Sequence, residues 1–432
     1  MTNAPTHTET LAGRARQQAI WLLPLLAILV TWVCMSLPMN PFRAISGEYI
    51  DLEVYRLGVE EWRAGGDLYG QLPETAADIS LPFIYPPFAA LALGIYALLP
   101  WTITVVAYLA VSVGALAMTL YLVARQLWPG QDQRKLATVV CATATPLALL
   151  LEPVWSTLDF GQVNLILMGL VAADCLTRNP RWPRGMLIGI AAAIKLTPAA
   201  FVLFFLIRKD YKAAMTAAVS GAVATIIGFA VMPDESVRYW FGGFGNVGGL
   251  SGSEFQTNQS IQAVLARFEI TGTLATALWL LAAAALVALA VVTIRRTGAP
   301  PMIALAVNAV VALLVSPISW SHHWVWVAPT LLAMVGYATT RPWQQARGWY
   351  AAAAATAVVY VLGEHNNVPG NDGRELDWTA WEKLIGNGYV WFSVLLVVLY
   401  ACTAGRRSRG SLPEPIPAEA AADEPLVAVP ER

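Results

Sequence analysis

"RGMLIGIAAAIKLTPAAFVLFFLIRK", Arg184 to Lys209, holds one lysine deep in an apolar run with basic residues at both ends. Whether this stretch crosses a bilayer once or turns back inside it fixes the layout of the whole chain. Pro198 disfavours helical geometry at Thr197, so a break is expected at "KLTP", Lys195 to Pro198. Segment 184–207 then becomes a hairpin of two short helices. Its basic ends share one side, and Lys195 sits near the tip.

The rest of the chain has the same character. It is 57% hydrophobic and 13% charged, with a mean hydropathy of +0.56. Soluble domains carry about a quarter charged residues. Apolar runs of near-bilayer length recur from end to end, which predicts an all-α polytopic membrane protein partnered by lipid. A net charge of -1 with no basic block gives no sign of a nucleic-acid partner. Cys34, Cys141, Cys175 and Cys402 lie in or beside apolar runs without metal spacing, as small hydrophobes do. The run Gln17 to Leu37 follows Arg14 and Arg16. It is longer than a signal-peptide core, so a retained signal anchor is expected.

Candidate spans are 17–38, 102–126, 136–151, 161–177, 184–207, 213–232, 272–294, 302–317, 323–339, 347–363 and 388–403, with 82–99 as a further apolar segment. Basic residues favour the cytoplasmic side. Arg14 and Arg16 place residues 1–16 inside. Arg406, Arg407 and Arg409 do the same for 405–432, a Pro-, Ala- and Glu-rich tail expected to be disordered. Residues 17–404 form one transmembrane domain with external loops at 39–81, 233–270 and 364–387. The clusters Arg125/Arg134/Lys135, Arg178/Arg181/Arg184 and Arg208/Lys209/Lys212 are all cytoplasmic if 82–99 makes no full crossing and 184–207 is a hairpin. That layout gives 12 crossings. A competing layout, with 82–99 spanning and 184–207 unbroken, puts two basic loops outside.

In the preferred layout "GEYIDLEVYR", "FIYPPF", "EPVWSTLDFGQVN", "AIKLTP", "EFQTNQS" and "SPISWSHHW" all fall at external ends. Polar groups in or beside a membrane are costly and mark function. On a helix, Asp51, Tyr55, Gly58 and Trp62 share one line, while Glu53, Arg56, Glu60 and Arg63 lie opposite. Asp51 is thus a lone acid on an aromatic stripe. Two readings are open: a helix N-terminal charge, or a desolvated base beside rings that stack on sugars. Lys195 either snorkels to an interface or meets a phosphate. Gln162 and Asn164 suit hydroxyl groups, and equally suit capping or interhelical bonding. Tyr85 opens "YPPF", a rigid helix-starting turn.

His322 and His323 have three readings. Adjacent helical residues point about 100° apart and no second ligand cluster exists, which weakens metal binding. Trp320 and Trp324 suggest an interfacial belt. Alternatively, a histidine donates to a phosphate or hydroxyl, with a tryptophan as stacking platform. No P-loop, GxGxxG or DxD pattern occurs, so neither a soluble nucleotide donor nor a metal-bound pyrophosphate is expected, and no cofactor. A transporter remains the reading of a different class. Paired broken spans in inverted repeats, frequent among transporters, are not evident.

In this order, "DLEVY", "YPPF", "GQVN", "KLTP", "NQS" and "SPISWSHHW" resemble the family 87 glycosyltransferases of actinobacteria, in the C-type glycosyltransferase fold. The resemblance covers about residues 17 to 403. It implies a sugar taken from a polyprenyl phosphate on the external face of the plasma membrane. The member most similar extends phosphatidylinositol mannosides by an α-1,2-linked mannose. Relatives branch lipomannan or transfer arabinofuranose. By the same resemblance Asp51 is the catalytic base, and Lys195 and His322 hold the donor phosphate without a metal. Tyr55, Trp62, Tyr85, Gln162, Asn164, Glu254, Asn258, Gln259, Trp320, His323 and Trp324 are the expected substrate contacts.

Overall fold

Trp101–Leu127, Tyr211–Val231 and Gly272–Thr297 are unbroken apolar helices, each long enough to cross a bilayer. They belong to a computed structural model that describes residues 20–37, 47–128, 130, 133–243, 253–370 and 373–404. The N-terminal segment 1–16, residues 39–46 of the first external loop and the tail 405–432 lie outside the described residues. Among the described residues the structure is helical, with a single isolated β-bridge between Asn258 and Trp320.

Two further helix pairs have bilayer-scale length and apolarity but are sharply bent. Arg134–Ala148 meets Glu152–Phe160 at 71°, and Ala380–Gly386 meets Gly388–Thr403 at 65°. The first bend follows Pro146, whose ring removes a helical hydrogen bond. Leu22–Ser36, Asn164–Leu176 and Pro301–Val315 are shorter apolar helices. Large side chains such as Leu25, Trp32, Met215, Ile226, Leu281 and Leu395 face outward. Exposed apolar surface on that scale needs a lipid environment.

Segment 82–99 is divided at Gly94 into Pro87–Leu93 and Ile95–Leu98. At 1.5 Å per residue the two helices span about 17 Å, against roughly 30 Å of hydrocarbon. Segment 184–207 is broken where Pro198 demands it. The helix Met186–Ile194 ends at Lys195, which is extended (φ -147, ψ 132). A 3-10 turn, Thr197–Phe201, leads into the helix Val202–Ile207. The run returns on itself, because Arg184 and Arg208 lie within electrostatic range of each other beside Cys175.

The hairpin is seated by two devices. Fully buried Asp174 accepts hydrogen bonds from Gly185 N (2.9 Å) and Ile188 N (3.0 Å), which satisfies the start of the first helix. Gly189 abuts the helix Tyr211–Val231 so closely that a Cβ would stand 2.0 Å from Ser220 Oγ. Only glycine permits that approach. A main core runs through the long helices. A second apolar cluster, with Leu52, Val54, Tyr55, Phe83, Tyr85 and Tyr108, holds the Ile50–Arg63 helix over the hairpin tip.

Candidate active site

The Ile50–Arg63 helix is pinned at its start. Tyr49 N donates to Asp159 O (3.0 Å) and Gly47 N to Asp159 Oδ1 (3.1 Å). Tyr49 itself adopts a left-handed conformation, φ 44. Next to Asp159, Gly161 has φ +75, and a Cβ there would meet Leu52 Cβ at 2.5 Å. Glycine thus lets the "GQVN" turn pass directly beneath the Asp51 helix. Asp51 reaches the cavity side, whereas Glu53 turns away and accepts from Ala76 N (2.7 Å). Arg56 pairs with Glu60 (2.7 Å) on that outer face.

Beneath Asp51, buried Gln162 is the junction of a polar cluster. Its Oε1 accepts from Tyr55 (3.2 Å), Tyr85 (3.3 Å) and Lys195 Nζ (3.3 Å). Its side chain also lies within hydrogen-bonding reach of the Asp51 carboxyl. Tyr108 donates to Thr157 O (2.8 Å) and Gln162 O (3.0 Å), which fixes the turn. Burial pushes the Asp51 carboxyl up to about 6, against the opposing pull of the Gln162 bond and the Lys195 charge.

Lys195 sits at the helix break. Its ammonium also meets Asn164 Oδ1 (3.0 Å) and His323 Nε2 (3.2 Å), and lies 5.4 Å from the centre of the Tyr85 ring. An ammonium only donates, so His323 Nε2 offers its lone pair and that ring is neutral. His322 differs. Its carbonyl accepts from Thr157 Oγ1 (2.6 Å) and Asn164 Nδ2 (3.0 Å). Its ring packs 5.2 Å from Phe160, and its Nε2 has no hydrogen-bond partner among the described residues.

These side chains line one cavity of about 840 Å³. Asp51, Tyr85, Gln162, Asn164, Lys195, His322 and His323 form its polar end. Leu167, Met168, Phe201, Leu313, Val325 and Trp326 are among its apolar walls, and Trp320 stands at another edge. Such a cavity takes an amphiphile: a polar group at one end and a hydrocarbon along the walls.

The sequence profile of glycosyltransferase family 87 matches residues 83–317, more than half of the chain. The chain belongs to glycosyltransferase family 87. It is 36% identical over 403 residues, 88% of each chain, to the polyprenol-phosphate-mannose-dependent α-(1-2)-phosphatidylinositol mannoside mannosyltransferase of Mycolicibacterium smegmatis. It is 32% identical over 440 residues to the protein of that description in Mycobacterium tuberculosis, covering 95% of this chain and 98% of the other. A Mycobacterium tuberculosis pentamannoside mannosyltransferase of the same donor dependence is 32% identical over 70% of each chain. A crystal structure of ArnT from Cupriavidus metallidurans bound to undecaprenyl phosphate aligns with a TM-score of 0.39 and 16% identity, over 90% of this chain and 78% of that one.

The family 87 profile spans "YPPF", "GQVN", "KLTP" and "NQS", but Asp51, His322 and His323 lie outside it. The fold joins them to it. Of the residues the sequence singles out, Asp51, Tyr85, Gln162, Asn164, Lys195, Trp320, His322 and His323 converge on the cavity. The remainder do not line it. Tyr55 is fully buried behind Tyr85, ring centres 5.2 Å apart. Trp62 packs against the second apolar cluster. Trp324 is buried against Tyr360 and Tyr389.

Glu254, Asn258 and Gln259 belong to a loop organised around buried Arg267. Arg267 donates to the carbonyls of Glu254, Phe255 and Asn258. Asn258 Oδ1 accepts from Ser319 N (3.0 Å) and Gln259 N donates to Ser319 O (2.7 Å). This loop therefore shapes the Trp320 turn from behind.

Sequence reasoning passed over Glu152. It is buried and accepts from Ser321 Oγ (2.9 Å) and Tyr389 OH (2.8 Å), with His365 Nε2 at 3.9 Å. The signal was present: a lone acid closing an apolar run, in "LLLEPVW".

Proposed function

We propose that this enzyme transfers mannose from polyprenyl-phosphate-mannose to a mannosylated phosphatidylinositol, forming an α-1,2 linkage on the external face of the plasma membrane. One observation carries this reading. A single carboxylate, Asp51, and a single ammonium, Lys195, flank Gln162 at the polar end of a cavity whose walls are apolar. The descriptions of the 36% and 32% identical relatives supply the donor and the acceptor class. The 12-crossing layout expected from the sequence supports a cavity that opens on the external face.

The acceptor hydroxyl oxygen attacks the anomeric carbon, and its proton passes to the Asp51 carboxylate. The bond from that carbon to the phosphate oxygen breaks, and its electron pair stays on the phosphate. Lys195 and the free Nε2 of His322 stabilise that growing charge. A phosphate leaves without much general-acid help, so one carboxylate suffices. A single displacement inverts a β-linked donor to an α-linked product. A base with a pKa near 6 is ionised at neutral pH and still stronger than an ordinary aspartate.

Purified enzyme in nanodiscs, given polyprenyl-phosphate-mannose and a phosphatidylinositol tetramannoside, should form a pentamannoside. Its new linkage should be cleaved by an α-1,2-specific mannosidase. Flux of the donor across liposomes with no covalent product would point to a transporter instead. Transfer of arabinofuranose but not mannose would replace the donor.

A further inference from the structure

Asp51 and Lys195 sense each other's charge, yet no ion pair joins them among the described residues. Opposite charges facing one cavity with apolar walls attract strongly, and a direct pair would serve neither role. The carboxylate would lose basicity, and the ammonium would be neutralised before a phosphate arrived. What stands between them is the Gln162 side chain. Its amide lies within hydrogen-bonding reach of the Asp51 carboxyl on one side, and its Oε1 accepts from Lys195 Nζ at 3.3 Å on the other.

We infer that Gln162 is a positioning residue, a neutral spacer that keeps Asp51 and Lys195 apart and so preserves the base and the phosphate cation as separate groups. This rests on Asp51 being the base. The chemistry explains why an amide is used. It offers a donor to a carboxylate and an acceptor to an ammonium on one short, uncharged planar group. Its orientation is not free. The hydroxyls of Tyr55 and Tyr85 stand 3.2 Å and 3.3 Å from Oε1 and 3.1 Å from each other. With one hydrogen apiece, a Tyr55 that donates to Tyr85 leaves Tyr85 donating to Oε1, which turns the amide N–H groups toward Asp51. The spacer is thus locked by a buried pair. Lys195 is restrained from its other side by Asn164 and His323.

The charged and titratable groups around Asp51 are few. Tyr55, Tyr85 and Tyr108 face it from the second apolar cluster, with Tyr96 behind Tyr108. Lys195 faces it from the hairpin, backed by His322 and His323. On its own helix Glu53 is turned to Ala76 N, and Asp159 is turned to Gly47 N. Removing the spacer therefore leaves Lys195 as the one opposite charge, among the described residues, able to close on Asp51.

The test is the pH dependence of kcat/KM for mannosyl transfer in nanodiscs. Gln162→Met keeps the volume but neither hydrogen-bonding function. It should lower the rate at least tenfold and move the rising limb down by about one pH unit, as an opposite charge in contact does. Gln162→Glu keeps the shape and adds a like charge beside Asp51, so its limb should move up. It remains informative if Gln162→Met fails to fold. A lower rate with the limb unmoved in both variants would overturn the spacer role and leave only a structural one. Asp51→Asn is the control. If it kept both rate and limb, the base assignment would fail, whatever Gln162 did.

Discussion

The "SPISWSHHW" turn lies between two buried polar clusters, one around Asp51 and one around Glu152. On one side Asp51, Gln162, Lys195 and the histidines border an 840 Å³ cavity. On the other, Glu152 is closed in by Ser321, Tyr389 and His365 and lines no part of that cavity. His322 Nε2 in the first cluster, like both ring nitrogens of His365 in the second, has no hydrogen-bond partner among the described residues. What marks the first cluster is that Asp51 faces the cavity without an ion pair to Lys195 among those residues. In the second, both Glu152 oxygens are met by hydroxyls, so its carboxyl fastens the turn to the last helices. Both carboxyls are out of bulk water. Access to a cavity, rather than burial, separates a chemical group from a structural one.

Four substitutions would break or sharpen that contrast. Asp51→Asn should cut transfer about a thousandfold with the fold intact, by product formation and thermal unfolding together. Lys195→Met should cost about a hundredfold in kcat, since it removes charge stabilisation at the leaving phosphate. Glu152→Leu should act the other way round. Two hydroxyls lose their acceptor, at about 1–3 kcal/mol each, so the unfolding temperature should drop while kcat in the surviving protein changes little. A thousandfold loss in a stably folded Glu152→Leu enzyme would erase the contrast. Trp62→Phe should be the mildest, with KM for both substrates within about twofold, because that ring packs away from the cavity.

The turn also shows how far sequence alone reaches. Asp51, Lys195 and the histidine pair were legible because ionisable groups in apolar surroundings are rare. The break at "KLTP" was legible because proline acts locally. Trp320 and Trp324 were not separable, since both suit an aromatic belt. A 3-10 helix over Ser321–Trp326 sends Trp324 inward, a rotation that α-helical spacing does not describe. Gln162 was readable as a hydroxyl-binding amide, but not as a spacer. That role depends on bringing together the Ile50–Arg63 helix, the "GQVN" turn and the "KLTP" break, which no local pattern encodes. Asn258 and Gln259 misled for the same reason. Their partners, Ser319 and the carbonyl of Gly386, are distant in sequence.

The central claim is that Asp51 takes the proton. The most direct measurement is kcat/KM for mannosyl transfer against pH, in the wild type and in the residual activity of Asp51→Asn. A carboxylate base works only when ionised. Wild-type activity should therefore fall as pH drops through about 6, the value to which burial pushes the Asp51 carboxyl. The small residual activity of Asp51→Asn should be flat across the same range. An Asp51→Asn enzyme that kept the limb and the wild-type rate would place the base elsewhere.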